Sequence, residues 1–252
     1  SEYLFSKKYL SENNTNRTKI FTALYGNIPY DDARLRYITS LALDVLEQFF
    51  QTERNNQNEV QNLLAISKTL HEKQLNHHAA NFLQKAVSLH QTKPTQNAAH
   101  WQQQLLLEEE IFKQSNQQSR SKENNLQNIL STLDQYYITQ LLKYACIAIS
   151  YQQIIKHDYQ YILLQNVLEL AQKDASILNE TSIIYYKIYQ IYTTTETHYF
   201  DEILHLLPNH ARYFSLDELK DIYLLIINFG IKQLNSGNKL FAQKLYSIYK
   251  SG

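Results

Sequence analysis

The sequence is short of the residues that build reactive centres and sharply turned folds. It holds a single cysteine, Cys146, so no intrachain disulfide can form and no thiolate cage can hold a metal. Cys146 lies in the apolar run 141–149 and reads as a buried, inert thiol. Four glycines and three prolines are too few for phosphate-cradling loops, dinucleotide turns or a many-turned β fold. Charge of one sign is missing as well. The 24 basic and 24 acidic side chains cancel, which removes the field expected of a dedicated binder of nucleic acid or anionic membrane. No apolar run is long enough to span a bilayer, so no membrane insertion is expected. No apolar core follows Ser1-Glu2-Tyr3-Leu4-Phe5 as in a signal peptide, and a cytoplasmic location is the expectation. Methionine is absent, where about five are expected at a usage of roughly 2%, which points to a piece of a longer protein.

What is present is helix-forming. The chain is 44% hydrophobic and 12% aromatic, enough to bury a full core. After Pro29, with Asp31 as cap, Leu35, Ile38, Leu41, Ala42, Val45, Leu46, Phe49 and Phe50 recur at three- and four-residue spacing. A short helix over 17–25, stopped by Gly26-Asn27, precedes it. Further helices are predicted over about 57–74, 76–89, 98–116 and 123–156, the last broken near Leu133-Asp134. Others follow over 159–172, 180–193, 199–207, 216–235 and 239–250, with Pro208 closing the third of these. Asn179 or Thr181 caps the helix over 180–193, and Ser215 with Glu218 forms a capping box. The run 183–192 is rich in strand formers but has no partner strand, and is read as a helix with Ile184, Ile188 and Ile191 inward.

The Gln/Ser/Asn stretch 114–121 is a linker signal. It divides an N-terminal helical region, 1–118, from a C-terminal helical-repeat region, 119–252. Helix pairs of roughly 35–40 residues are the unit of an α-solenoid, so the two regions are expected to form one continuous stack. Ala79, Leu83 and Ala86, and more loosely Gly237, Ala242 and Tyr246, echo the small-large-small spacing of a tetratricopeptide second helix. No Trp-Leu-Gly-Tyr signature or phased proline accompanies them, so the expected fold is an all-α, right-handed α-solenoid of helical hairpins, degenerate and tetratricopeptide-like.

Three segments carry a resemblance to a family. The first is Lys19-Ile20-Phe21-Thr22-Ala23-Leu24-Tyr25-Gly26 with Pro29-Tyr30-Asp31-Asp32. The second is Leu133-Asp134-Gln135-Tyr136-Tyr137 followed by Leu142-Lys143-Tyr144-Ala145-Cys146. The third is the apolar run 221–229 through Leu234-Asn235-Ser236-Gly237. Together they resemble bacterial helical-repeat proteins of uncharacterised role. That resemblance implies a helical scaffold and members longer at both ends; it brings no catalytic residues and no ligand.

Candidate chemistry is sparse. His77 and His78 are adjacent, so on a helix they point about 100° apart and form a surface pair rather than a chelate. His71, His90, His100, His157, His198, His205 and His210 make no metal-ligand spacing, and no metal or cofactor is expected. Glu108-Glu109-Glu110 reads as a solvated face. Arg34 and Arg36, after a helix and turn, could belong to a helix-turn-helix fragment, but Asp31, Asp32, Asp44 and Glu47 offset them. The unusual feature is the 20 tyrosines, with Tyr185, Tyr186, Tyr189, Tyr192, Tyr199 and Tyr213 in the last third. Most are expected between helices, a minority along a groove. The expected function is a non-enzymatic scaffold for a protein or peptide partner, with a nucleic-acid-associated regulator as the alternative; catalytic and partner-binding residues are not assigned.

Overall fold

The computed structural model describes residues 16–116, 124–155, 157–194 and 198–251. Among these residues there are eleven α-helices, two short 3-10 turns and no strand. The chain is all-α, and compactness divides it into two units, 1–59 and 60–252.

In the first unit, α1 (Arg17–Tyr25) is capped by Asn16, whose side chain accepts from the Thr18 and Lys19 amides. It stops at Gly26, where φ is 74°, a left-handed conformation that favours glycine. The helix α2 (Asp32–Gln57) is capped by Asp31, which accepts from the Ala33 and Arg34 amides at 2.9 and 3.1 Å. Phe21 is buried against the rings of Tyr25 and Tyr30. The stripe expected to face inward along α2 divides: Leu35 is buried, whereas Leu41, Val45 and Leu46 are exposed. The side chains of Phe49 and Phe50 lie outside the described residues.

The second unit contains α3 (Glu59–Glu72), α4 (Asn76–Gln91), α5 (Ala98–Asn116), α6 (Leu126–Ile155), α7 (Leu164–Lys173), α8 (Ser182–Thr193), α9 (His198–His210), α10 (Leu216–Asn235) and α11 (Leu240–Ser251). A small core of Val60, Leu64, Leu83, Ala86 and Leu107 joins α3, α4 and α5. Ala79 and Ala86 are fully buried. With no bulk at position 79, the Ser67 hydroxyl of α3 comes close enough to donate to the Ala79 carbonyl at 2.8 Å. The larger core spans α6 to α11 and centres on α8, whose Ile184, Ile188 and Ile191 all face inward as expected. Matched contacts show that α6 and α8 run parallel: Gln135 and Thr139 meet Asn179, Cys146 meets Tyr185, and Ser150 meets Tyr192. Helix α10 runs the same way, with Glu218 on Tyr185 and the Leu225 carbonyl on Tyr192. Helix α9 turns back along α8 through Lys187–Glu202, and α11 turns back along α10 where Leu245 covers Gly230.

Several expectations need correction. The break near Leu133-Asp134 does not occur, and α6 is continuous. Leu133 is 44% exposed and Asp134 is exposed too, so an acidic group there costs the helix little. Pro208 lies inside α9, which continues to His210. The bonding of that last turn is supplemented by side chains: the Asn209 amide donates to the His205 carbonyl, and His210 Nδ1 meets the Leu206 carbonyl at 2.9 Å. Gly237 sits in the turn after α10 at φ 94°, and Ala242 and Tyr246 are exposed, so the second tetratricopeptide-like echo is not a packed face. Residues 114–116 of the expected linker belong to α5, and its remainder, 117–121, with the boundary at 118/119, lies outside the described residues. The helices on either side, α5 and α6, pack on each other within the second unit.

Candidate functional site

The buried polar centre of the second unit is Glu218, 5% exposed, in the first turn of α10. Ser215 caps that helix by accepting from the Glu218 amide, but the Glu218 side chain does not complete the box. Instead it reaches inward. Its carboxylate accepts from Lys143 Nζ on α6 at 2.9 Å, the Tyr185 hydroxyl on α8 at 2.7 Å, and the Asn97 amide before α5 at 2.7 Å. Burial and the adjacent carboxylate push the Tyr185 hydroxyl far above its usual range, so it acts only as a donor. Four chain segments thus meet at one carboxylate, a structural tie.

Above this tie, three inter-helix loops are stitched together. The Gln96 amide donates to the Tyr213 carbonyl at 2.9 Å, and the Thr181 hydroxyl donates to the Gln96 carbonyl at 2.9 Å. Asn179 caps α8, its side-chain oxygen accepting from the Thr181 and Ser182 amides, while its amide donates to Gln135 and Thr139. Beside the stitched loops lies a cleft of about 540 Å³. Trp101 of α5 and Ser131, Thr132 and Gln135 of α6 form one side; Ser176, Leu178, Asn179, Glu180 and Ile183 form the other. His210 closes the end and contacts Glu180 at 3.0 Å.

A second surface is aromatic. Tyr144 and Tyr151 lie two turns apart on α6, 60% and 55% exposed. With Ile147, Ala148, Tyr159 and Tyr161 they line a groove of about 450 Å³. The Tyr161 hydroxyl is buried without a hydrogen-bond partner, and burial raises its pKa. These are not the tyrosines that stand out in the sequence. Tyr185 and Tyr192 are core residues, the Tyr192 hydroxyl donating to the Leu225 carbonyl with its pKa pushed up to about 12 by burial. Tyr186, Tyr189, Tyr199 and Tyr213 are half-buried.

The remaining candidates are placed as follows. Cys146 is fully buried, its thiol donating to the Tyr185 carbonyl at 3.0 Å, and burial pushes its pKa up, so no thiolate forms. His77 and His78 are exposed. Glu108 and Glu110 overturn the solvated-face expectation: both are buried and only Glu109 is exposed. Helix α5 packs on α4 and on α6, so residues on two of its sides are enclosed. Neutral amides take up the two carboxylates, Gln104 and Asn125 donating to Glu108 and Gln114 donating to Glu110. His90 and His100 stack at 4.2 Å, and burial lowers both pKa values, that of His100 to about 4. In the first unit Asp32 holds Arg17 at 3.1 Å and Arg36 at 2.7 Å, and its pKa falls first through the Tyr30 hydroxyl and then through the arginines. Arg34 lies over the Tyr25 ring at 4.4 Å. Among the described residues no cluster of three or more His, Cys, Asp or Glu could hold a metal ion, and no helix is long and apolar enough to cross a membrane.

Comparison with protein-family models, curated proteins and solved structures finds no match to this chain. The geometry alone therefore bears on function.

Proposed function

We propose that the protein is a non-enzymatic helical-repeat scaffold, a right-handed α-solenoid of hairpins like those of the bacterial helical-repeat proteins it resembles, that docks a protein partner in the cytoplasm. The parallel course of α6, α8 and α10, with α9 returning between α8 and α10 and α11 folding back on α10, supports the stacked-hairpin reading. The carrying observation is the tyrosine groove on α6. Rigid aromatic area with polar tips, exposed on a helix of the core, is the surface chemistry of protein interfaces. The buried Glu218 carboxylate is engaged by three donors of the fold, in keeping with a scaffold.

The test is site-specific photo-crosslinking from Tyr151 in native lysate. A partner should be captured reproducibly, and Tyr144→Ala should abolish capture while leaving the circular dichroism spectrum unchanged. Capture that is indifferent to Tyr144→Ala overturns the reading. Nucleic-acid association has less support, because Arg17 and Arg36 are tied to Asp32 and Arg34 to Tyr25.

A further inference from the structure

The tyrosine groove is one end of a longer seam. Along α6, Leu130, Tyr137, Tyr144 and Tyr151 recur every seven residues, and all are exposed. Between them, at the alternating spacing of four and three that completes a heptad, stand Leu126, Leu133, Gln140 and Ile147. Leu126 and Leu133 are exposed, and Gln140 and Ile147 are half-buried. The opposite face of the same helix buries Ile138, Leu142, Ala145 and Cys146 in the larger core. Core packing thus accounts for one stripe of α6 and leaves the heptad stripe facing outward over about 38 Å.

Each feature narrows the occupant. A repeat of seven matches a partner that is itself an α-helix, because two supercoiled helices keep such a seam in register along its whole length. The seam is also the complement of its own reverse. Laid antiparallel on a copy of itself, Leu126 meets Tyr151, Leu130 meets Ile147, Leu133 meets Tyr144 and Tyr137 meets Gln140, each pair occurring twice about a two-fold axis. Three of the four layers then set a ring against a smaller group, and the polar Gln140 falls beside a phenol. A parallel copy would put ring on ring and leucine on leucine, in layers of unequal bulk. Charge agrees with a copy. Helix α6 carries Asp134 and Lys143, and Lys143 is turned inward onto Glu218, so the seam's own helix neither repels a copy nor selects a charged foreign helix. Area agrees as well. The six exposed seam residues are half exposed on average; at roughly 200 Å² for a whole large side chain they offer about 600 Å² per copy and about 1,200 Å² for a pair, which reaches the range of stable interfaces before Gln140 and Ile147 add theirs. We propose that α6 pairs with α6 of a second copy of this chain as an antiparallel coiled coil, Tyr144 and Tyr151 packing on the partner's Leu133 and Leu126. The inference rests on the reading of the α6 tyrosines as a docking surface and names what docks there.

The experiment is sedimentation velocity on the purified protein over about 1–100 μM, where an interface of this area should form. Monomer should give way to dimer as concentration rises. Tyr144→Glu, at an exposed position, should weaken the dimer at least about hundredfold with an unaltered circular dichroism spectrum, because the charge is buried against leucine in two layers. Orientation is read by mixing Leu133→Cys protein with Tyr144→Cys protein under mild oxidation, the native Cys146 being fully buried and silent. The antiparallel register predicts a disulfide between the two variants and none within either alone, since like positions then lie about 16 Å apart along the pair. Self-crosslinking of Tyr144→Cys without the mixed product overturns the proposal. So does a dimer indifferent to Tyr144→Glu, or a chain still monomeric at about 100 μM. A monomeric chain that captures a different protein from Tyr151 in lysate, sensitive to Tyr144→Ala, overturns this inference and leaves the docking surface standing. A monomeric chain that captures nothing ends both.

Discussion

Replacing Glu218 by alanine should be costly, and its cost can be worked from the contacts. The substitution strands three donors: the Tyr185 hydroxyl, the Asn97 amide and the Lys143 ammonium, each within 2.9 Å of the carboxylate. A buried donor left without a partner costs about 1–3 kcal/mol, and breaking a buried ion pair from one side costs about 3–5 kcal/mol. Lys143 keeps 23% exposure and can recover water, so the lower end of each range applies and the sum is about 5 kcal/mol. For a unit of this size each kcal/mol lowers the melting temperature by about 2–4 °C, which predicts a fall of about 10–20 °C. Glu218→Gln keeps an acceptor for Tyr185 or Asn97 and should lose about half as much.

The control is Asp217→Ala. Asp217 occupies the same helical turn but is 93% exposed, so losing its dipole contribution and its surface pair with Lys220 costs about 0.3–1 kcal/mol. The assay is thermal and urea unfolding followed by circular dichroism at 222 nm, with Lys143→Met added to close a double-mutant cycle. A coupling energy of about 1–3 kcal/mol between positions 143 and 218 is expected. A loss under about 1 kcal/mol for Glu218→Ala, or a cycle additive within about 0.3 kcal/mol, would refute the claim that this carboxylate ties four segments together.

Two further perturbations follow. Gly230→Ala would place a methyl carbon 2.6 Å from Leu245 Cδ2, so despite alanine's better helix propensity it should destabilise by about 1 kcal/mol, and Leu245→Ala in the same chain should remove the penalty of the added methyl. The second concerns pH. Burial lowers the folded pKa of His100 to about 4 from the usual 6.5, so between those values the unfolded chain binds more protons and stability falls as pH falls from about 6.5 towards 4. The full shift corresponds to roughly 3 kcal/mol, and the partial exposure of the ring reduces this to about 1–2 kcal/mol. Melting temperatures from pH 7 to 4.5 should fall less steeply for His100→Gln than for the wild type, and equal slopes would contradict the assignment.

Helix positions were legible because the apolar spacing in this chain is regular and its breakers are few. Gly26, Asn179, Ser215 and Gly237 act where the sequence places them. Pro208 misled because a proline near a helix end removes one donor without ending the helix when side chains can supplement the last turn. Inward faces were less legible wherever a helix is enclosed on more than one side. In α5 the helically spaced Trp101, Leu105 and Leu106 are all half-buried, while the residue nearest full burial is Leu107 beside buried Glu108 and Glu110. Periodicity assumes one wet face, and α5 departs from that assumption.

The same departure explains why the cleft could not be read from the sequence. Gln96, Trp101, Asn179 and His210 come from separate loops and helix ends, and none belongs to a motif whose spacing encodes chemistry. What brings them together is hydrogen bonding across long sequence separation: Gln96 to Tyr213, Thr181 to Gln96, and Asn97 to Glu218 across 121 residues. The Ser-x-x-Glu pattern at 215–218 shows how a correct local reading can conceal this. Serine does cap the helix, and glutamate stands at the spacing a capping box requires. Its carboxylate nonetheless leaves the local box, because inward it meets three donors at once, from α6, α8 and the segment before α5. Local signals therefore locate the helices of this chain, while its polar interior decides which of their ends meet.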